Sequence, residues 1–385
     1  MEEQVVEEQK KRRKRLPGWI KIFIAVVLTL AVSVGGFCLL MGRSGLALVE
    51  GWLLAKFAFV DTEADLDKAA DQALSGLVSG LGDRWSYYLD EESYQRVTEN
   101  RANNYVGVGV TVSYEREEGL LVLEVTAGGP AEQAGVAVGD IIIAVDGTSI
   151  AGDDRTRGTE LITGETGTQV TLTLLGTDGS QRDVTCTRRR LQSASASGKL
   201  LEDGVGYVYL ANFYSGAAAS FRSVVDGLLE QGADRLIIDV RNDPGGYITE
   251  LEDILDYLLP EGPVLTQKPR WWFGMTTTSD ANCIEVPMVV LVNADTYSAA
   301  ELLAAQLRES VGAPIVGEVT SGKGYSQITF PLANGGGLGI STATYSTGSG
   351  HSLIGEGILP DVELSLDNSG TDNQLQAAID LVKTQ

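Results

Sequence analysis

The pattern of apolar and polar positions divides the chain into four stretches. From Ile22 to Met41, twenty consecutive residues carry no charge and leave no polar face. That is the length a helix needs to cross a bilayer core of about 30 Å. A basic run, Lys10 to Arg15 with Lys21, precedes it. This order predicts a cytoplasmic basic segment over 1–21, a transmembrane helix over 22–42 and an exported remainder. A cleaved signal has an apolar region of only about 7–15 residues, so an uncleaved single-pass anchor in the cell membrane is expected in preference to a soluble secreted form.

Residues 43–102 mix Ala, Leu, Asp and Glu at helical spacing and end in "GLGDRWSYYLDEESYQRV". They predict a helical segment, with Trp85, Tyr87 and Tyr88 packed beneath a helical cap. From Tyr105 the period changes to two. "VGVGVTVSY", "LLVLEVTAG", "DIIIAVDG" and "TQVTLTLLG" predict short strands, with one short helix at 131–135, and together a β module over 103–190. From Val205 apolar strand runs alternate with amphipathic runs, which predicts a layered α/β domain over 191–385 with its chemistry at the strand-to-helix loops. "SASAS" at 193–197 reads on composition as a connector between the two. The fold class expected is therefore α/β and β multidomain, with an N-terminal transmembrane helix.

Composition removes several classes of function. A chain of 385 residues predicts two or three domains, and 43% hydrophobic residues supply packed cores for them. With 52 acidic against 29 basic residues, the net charge of −23 argues against a nucleic-acid partner. Cys38, Cys186 and Cys283 show no CxxC spacing, so no zinc ribbon or disulfide framework is expected, and a single Cys186–Cys283 bridge is left open. His351 is the only histidine. Multi-histidine metal sites are thereby removed, and one imidazole remains, in a Gly/Ser-rich loop expected to be exposed.

Three loops carry candidate chemistry. Arg241-Asn242-Asp243-Pro244-Gly245-Gly246 follows the buried run 236–240, and its glycines expose backbone N–H groups suited to an anion or a developing oxyanion. Ser298 opens a helix after the run 288–293, as a cap or as a nucleophile. Lys323 lies between Gly322 and Gly324. A buried lysine whose charged form is destabilised can replace histidine as the base for a serine. Gln327 lies four residues beyond and can orient the amine without adding charge.

Taken in order, Asp239 to Gly246, Ser298-Ala299-Ala300-Glu301, and Gly322-Lys323-Gly324-Tyr325-Ser326-Gln327 resemble the carboxyl-terminal processing peptidases, the tail-specific serine proteases. The resemblance extends to "DRWSYYLDEESY", to "GGPAEQAGVAVGDIIIAVDG", which is similar to the family's PDZ domain, and to "GEGILPDVEL". It implies a serine endopeptidase with Ser298 as nucleophile, Lys323 as general base, Gln327 as its orienting partner and the N–H groups of Gly245 and Ala299 as oxyanion hole. No metal or cofactor is implied. The PDZ domain would bind substrate C-termini through Val106, Gly107, Val108, Gly109 and Val110. The partners implied are proteins or peptides with a free C-terminus; a homo-oligomer is left open. Two positions depart from the family's pattern. Thr163 stands where members often carry a basic residue before the glycine, which leaves a gating contact open, and bulky Tyr297 precedes the serine. The alternative from another class is a PDZ scaffold with an inactive peptidase-like domain.

Overall fold

A computed structural model describes residues 18–114, 116–152, 155–271, 273–367 and 372–385. The basic run at 10–15 lies outside them. The described residues form two compact units, divided between 74 and 75.

In the first unit a single helical element runs from Gly18 to Ala58, interrupted by non-helical backbone at Gly42 (φ 59°, ψ −175°). The helix expected to end at 42 therefore resumes beyond the glycine. Over 22–58 it is long and apolar enough to cross a membrane, with a mean hydropathy of 2.6 in its most apolar window.

The second unit holds a β module and a layered α/β domain. In the β module five strands, Val110–Ser113, Leu120–Val125, Ile141–Val145, Gln169–Leu175 and Gln181–Thr187, form one antiparallel sheet in that order. The period of two is realised directly: Val170, Leu172 and Leu174 are buried, whereas Thr171 and Thr173 stay partly exposed. The core closes over Cys186, which is a free thiol like Cys38 and Cys283, so the open Cys186–Cys283 bridge is not formed. Strand Val110–Ser113 is an edge of this sheet. The chain enters and leaves the module through a two-stranded ribbon, Asn104–Gly107 against Arg189–Gln192.

The α/β domain is built on a six-stranded sheet. Strand Ala196–Leu200 pairs antiparallel with Val205–Leu210, and Arg235–Asp239, Met288–Val292, Ile315–Gly317 and Val362–Glu363 follow in parallel. Its central strands, Arg235–Asp239, Met288–Val292 and Ile315–Gly317, are almost wholly buried because both faces are covered. Leu236 and Ile238 pack with helices Ala217–Glu230, Ile248–Leu258 and Ala299–Val311, while Ile237 faces the layer containing helix Asn373–Val382. Arg241 ties that last helix to the sheet, bonding Asp239 (2.6 Å), Asp372 (2.8 Å) and Gln374 (2.9 Å).

Two expectations are corrected. The "SASAS" stretch is not a loose connector: Ser195 is buried between Asn103 (2.6 Å) and Asn212 (3.0 Å), and the strand begins at Ala196. The close packing continues just beyond this stretch, where a Cβ on Gly198 would meet Val224 at 2.5 Å. The aromatic cluster is likewise not wholly helical. Tyr87–Leu89 is a short strand added to Gly337–Thr347, in a second sheet that also contains Tyr325–Pro331, Gly262–Pro269 and Met275–Ser279. Tyr87 bonds Thr329 (2.8 Å), and Tyr88 accepts from Asn334 (2.7 Å).

Candidate active site

Parallel strands that are neighbours in the sheet deliver their C-terminal loops side by side. Strands Arg235–Asp239, Met288–Val292 and Ile315–Gly317 are such neighbours, so the loops 241–246, 293–298 and 318–324 converge. The first two are stitched together by a reciprocal amide pair: Asn293 Nδ2 donates to Asn242 Oδ1 (2.9 Å), and Asn242 N–H donates to Asn293 Oδ1 (2.9 Å). Thr296 Oγ1 adds a bond to Val240 O (2.9 Å).

Ser298 caps helix Ala299–Val311 with a positive φ (φ 62°, ψ −120°) and is 7% exposed. Such a backbone costs a non-glycine residue about 1–3 kcal/mol. The surroundings hold it: Ser298 N–H donates to Glu301 Oε2 (2.9 Å), and the fully buried Tyr345 phenol lies against the serine side chain. The Tyr345 hydroxyl also donates to Lys323 O, and its backbone N–H to Gly324 O (3.1 Å).

Glu301 is the residue that sequence reasoning missed. Its carboxylate, with no solvent exposure, accepts five bonds: from Ser298 N–H, Thr320 Oγ1 (2.5 Å), Ser321 Oγ (3.2 Å), Gly322 N–H (2.8 Å) and Lys323 N–H (3.0 Å). The signal was the spacing Ser298-x-x-Glu301, a capping box at a helix start. Its two loop-binding oxygens serve a segment twenty residues further on, which local capping rules do not reveal.

Ser298, Lys323, Gln327 and Gly245 line one cleft of about 820 Å³. Lys323 Nζ finds no hydrogen-bond acceptor among the described residues and sits 5.1 Å from the centre of the Trp85 ring. Burial disfavours its charged form most, and Arg101 adds like-charge repulsion. Glu301 and Asp83 oppose them, and the amine is left pulled down to about 8. Gln327 is in the cleft, but its amide nitrogen bonds Tyr325 O (2.9 Å) and Ser341 Oγ (3.1 Å); no bond to Lys323 forms among the described residues. His351 is exposed, and its backbone N–H bonds Thr347 Oγ1 (3.1 Å), outside the cleft.

Gly245 must be glycine. Its φ is 80°, and a Cβ would lie 2.8 Å from Tyr297 O and 2.9 Å from Ala299 N. The Gly245 backbone thus lies close against the Ala299 backbone nitrogen. Yet the Gly245 N–H is not open, because it donates to Asp243 Oδ1 (2.7 Å) in an Asx turn. Asp243 is fully buried, its Oδ2 has no partner, and burial pushes its carboxyl well above the usual range.

The five expected PDZ contacts fall into different roles. Val106 and Gly107 pair with Arg190 and Arg189 in the entry ribbon. The Val108 side chain is buried in the module's core, so it cannot face a ligand. Val108 O and Gly109 O accept from Ala131 N (2.8 Å) and Thr126 N (3.0 Å), and Val110 opens the edge strand. At the departing position, Thr163 Oγ1 turns back to Glu160 O (3.0 Å). The Arg188 guanidinium packs on Gly164 and caps the preceding helix at Leu161 O (2.8 Å) and Ile162 O (2.9 Å).

Comparison with known proteins identifies two domains and a family. Residues 204–364 match peptidase family S41, and residues 121–175 match a PDZ domain. The chain is 30% identical to the chloroplastic C-terminal processing peptidase of Tetradesmus obliquus, over 84% of this chain and 74% of that protein. It is 30% identical to the carboxyl-terminal-processing protease of Synechocystis, over 86% and 81%. It is also 30% identical to the carboxy-terminal processing protease CtpA of Bacillus subtilis, over 79% of this chain and 66% of that protein. Among solved structures, an S41 protease from Bacteroides fragilis shares the fold (TM-score 0.53, 16% identity, 85% of this chain and 93% of that one). The chain therefore belongs to peptidase family S41, and it is a serine protease of the carboxyl-terminal processing kind.

Proposed function

We propose that the protein is a membrane-anchored endopeptidase of the Ser-Lys type, acting outside the cytoplasm on the C-terminal regions of proteins. The observation that carries this reading is the Lys323 amine. It shares a cleft with Ser298, lacks an acceptor among the described residues, and is pulled to about 8, so that an appreciable fraction is neutral at ordinary pH. Neutral Lys323 takes the Ser298 hydroxyl proton as the serine oxygen attacks the scissile carbonyl, and returns it to the leaving amine. An acyl-enzyme on Ser298 results, and water hydrolyses it.

The oxyanion of each tetrahedral intermediate is held by the N–H groups of Ala299 and Gly245; one such donor is worth about 3–4 kcal/mol. Gly245 serves only after its N–H leaves Asp243, so substrate engagement includes a small rotation of this loop. Gln327 turns its amide oxygen to the amine in the same step. Substrate C-termini add to the edge strand Val110–Ser113 of the PDZ domain, extending its sheet by one strand. The apolar helix over 22–58 anchors the protein.

Incubation of the full chain in detergent micelles with an unfolded protein, beside Ser298→Ala, tests the reading. Cleavage by the parent and none by the variant is expected. Equal cleavage by both removes Ser298 from the mechanism.

A further inference from the structure

The chain carries 52 acidic and 29 basic residues, so a surface cleft drawn without selection would be lined mainly by carboxylates. The Ser298 cleft is the reverse. Among the described residues that line it are Arg101 and Lys323, and no Asp or Glu. A second cleft of about 640 Å³ adjoins it, sharing Trp85, Thr342 and Ala343, and is lined by Arg84, Lys268 and Arg270. The one acid there, Asp83, is taken up by the Ser86 hydroxyl (2.5 Å) and Trp85 N–H (3.1 Å). None of Arg84, Arg101, Lys268 and Arg270 forms an ion pair among the described residues. Two clefts that share Trp85, Thr342 and Ala343 are thus lined by five basic residues and one acid in a strongly anionic protein.

Arg101 is also held in place. It ends helix Glu91–Arg101, and its carbonyl accepts from Ser215 N (3.1 Å). One guanidinium nitrogen donates to the Tyr87 hydroxyl (3.2 Å), which in turn bonds Thr329 (2.8 Å). The remaining donors of a planar fork suit a carboxylate, and a guanidinium held in one place loses less entropy when it binds one. A half-buried cation without a counter-ion is costly to the fold, and a ligand carboxylate in the Ser298 cleft supplies what the chain does not.

We propose that the Ser298 cleft selects an acidic polypeptide segment, and that Arg101 holds a side-chain carboxylate of the substrate near the scissile bond. The proposal rests on the peptidase reading of the cleft and specifies the substrate class for it. Arg84, Lys268 and Arg270 in the adjoining cleft add positive potential that steers anionic segments towards the site, an effect that salt screens.

The test uses the full chain in detergent micelles with amidated peptides in which one Glu is walked through the positions flanking the cleaved bond, each paired with its Gln counterpart. At one position or more the Glu peptide is expected to exceed its partner in kcat/KM by about tenfold or more, with the advantage falling as salt rises. Arg101→Gln should bring the ratio towards one, and Arg101→Lys should restore part of it. Because each ratio is measured within one preparation, it does not depend on how much of a variant is folded. Equal cleavage of every pair by the parent protein overturns the proposal. So does a ratio that survives Arg101→Gln, or a preference that appears only between free-acid and amidated termini. Cleavage that persists in Ser298→Ala instead overturns the peptidase reading beneath it.

Discussion

Ser298 and Lys323 donate their backbone N–H groups to the same oxygen, Oε2 of Glu301, at 2.9 and 3.0 Å. A loop at the start of a helix and a loop after the next strand are thus fixed against each other by one buried carboxylate. The side chains above them owe their common cleft to this contact.

Glu301→Gln should therefore be severe although it is nearly isosteric. An amide places donors against N–H groups that need an acceptor, and each buried unsatisfied group costs about 1–3 kcal/mol. Loss of activity by a hundredfold or more is expected, with a lower Tm, measured by peptide hydrolysis and thermal unfolding. Near-parent values for both would show that the loops hold their places without it.

Lys323→Arg keeps the charge but should be inactive, because guanidinium does not deprotonate near neutral pH. Proteolysis assays against the parent check this, and substantial turnover would require another base.

Asp243 makes a stability prediction with a definite sign. Burial raises its carboxyl in the folded chain, so the folded state resists an ionisation that the unfolded chain undergoes near pH 4. The fold carries no penalty below that pH and loses stability as pH rises through and beyond it. Asp243→Asn, neutral at every pH, should raise Tm at pH 7 and leave it almost unchanged at pH 3–4. A lower Tm at pH 7 would mean that the ionised carboxylate is a stabilising partner of the Gly245 N–H.

His351→Gln should leave the catalytic rate nearly intact, since the histidine is exposed and outside the cleft. A loss of several hundredfold in folded protein, by steady-state kinetics, would point to imidazole chemistry.

The larger elements were legible because their periods are plain. The runs at 236–240 and 288–293 could be read as buried strands, and the alternation at 169–175 as a half-buried one. Ser298, Lys323 and Gln327 were legible as a set, and one cleft contains all three. What could not be read depended on partners distant in sequence. Ser193 to Ser197 looked like a linker because small residues serve both flexibility and close packing, and only the sequence-distant partners of Ser195, Asn103 and Asn212, distinguish the two. The role of Glu301 needed a strand crossover to bring 320–323 beside it. The closure of Gly245 N–H on Asp243 depends on a side-chain rotation that no spacing encodes.

The most direct test is to titrate Lys323 itself, following its side-chain amine by NMR in the full-length protein in micelles while measuring kcat/KM across pH. The amine is expected to titrate near 8 and activity to rise with pH through the same midpoint, because the deprotonated form is the base. An amine that stays protonated to about pH 10, as an ordinary lysine does, would contradict Lys323 as the general base.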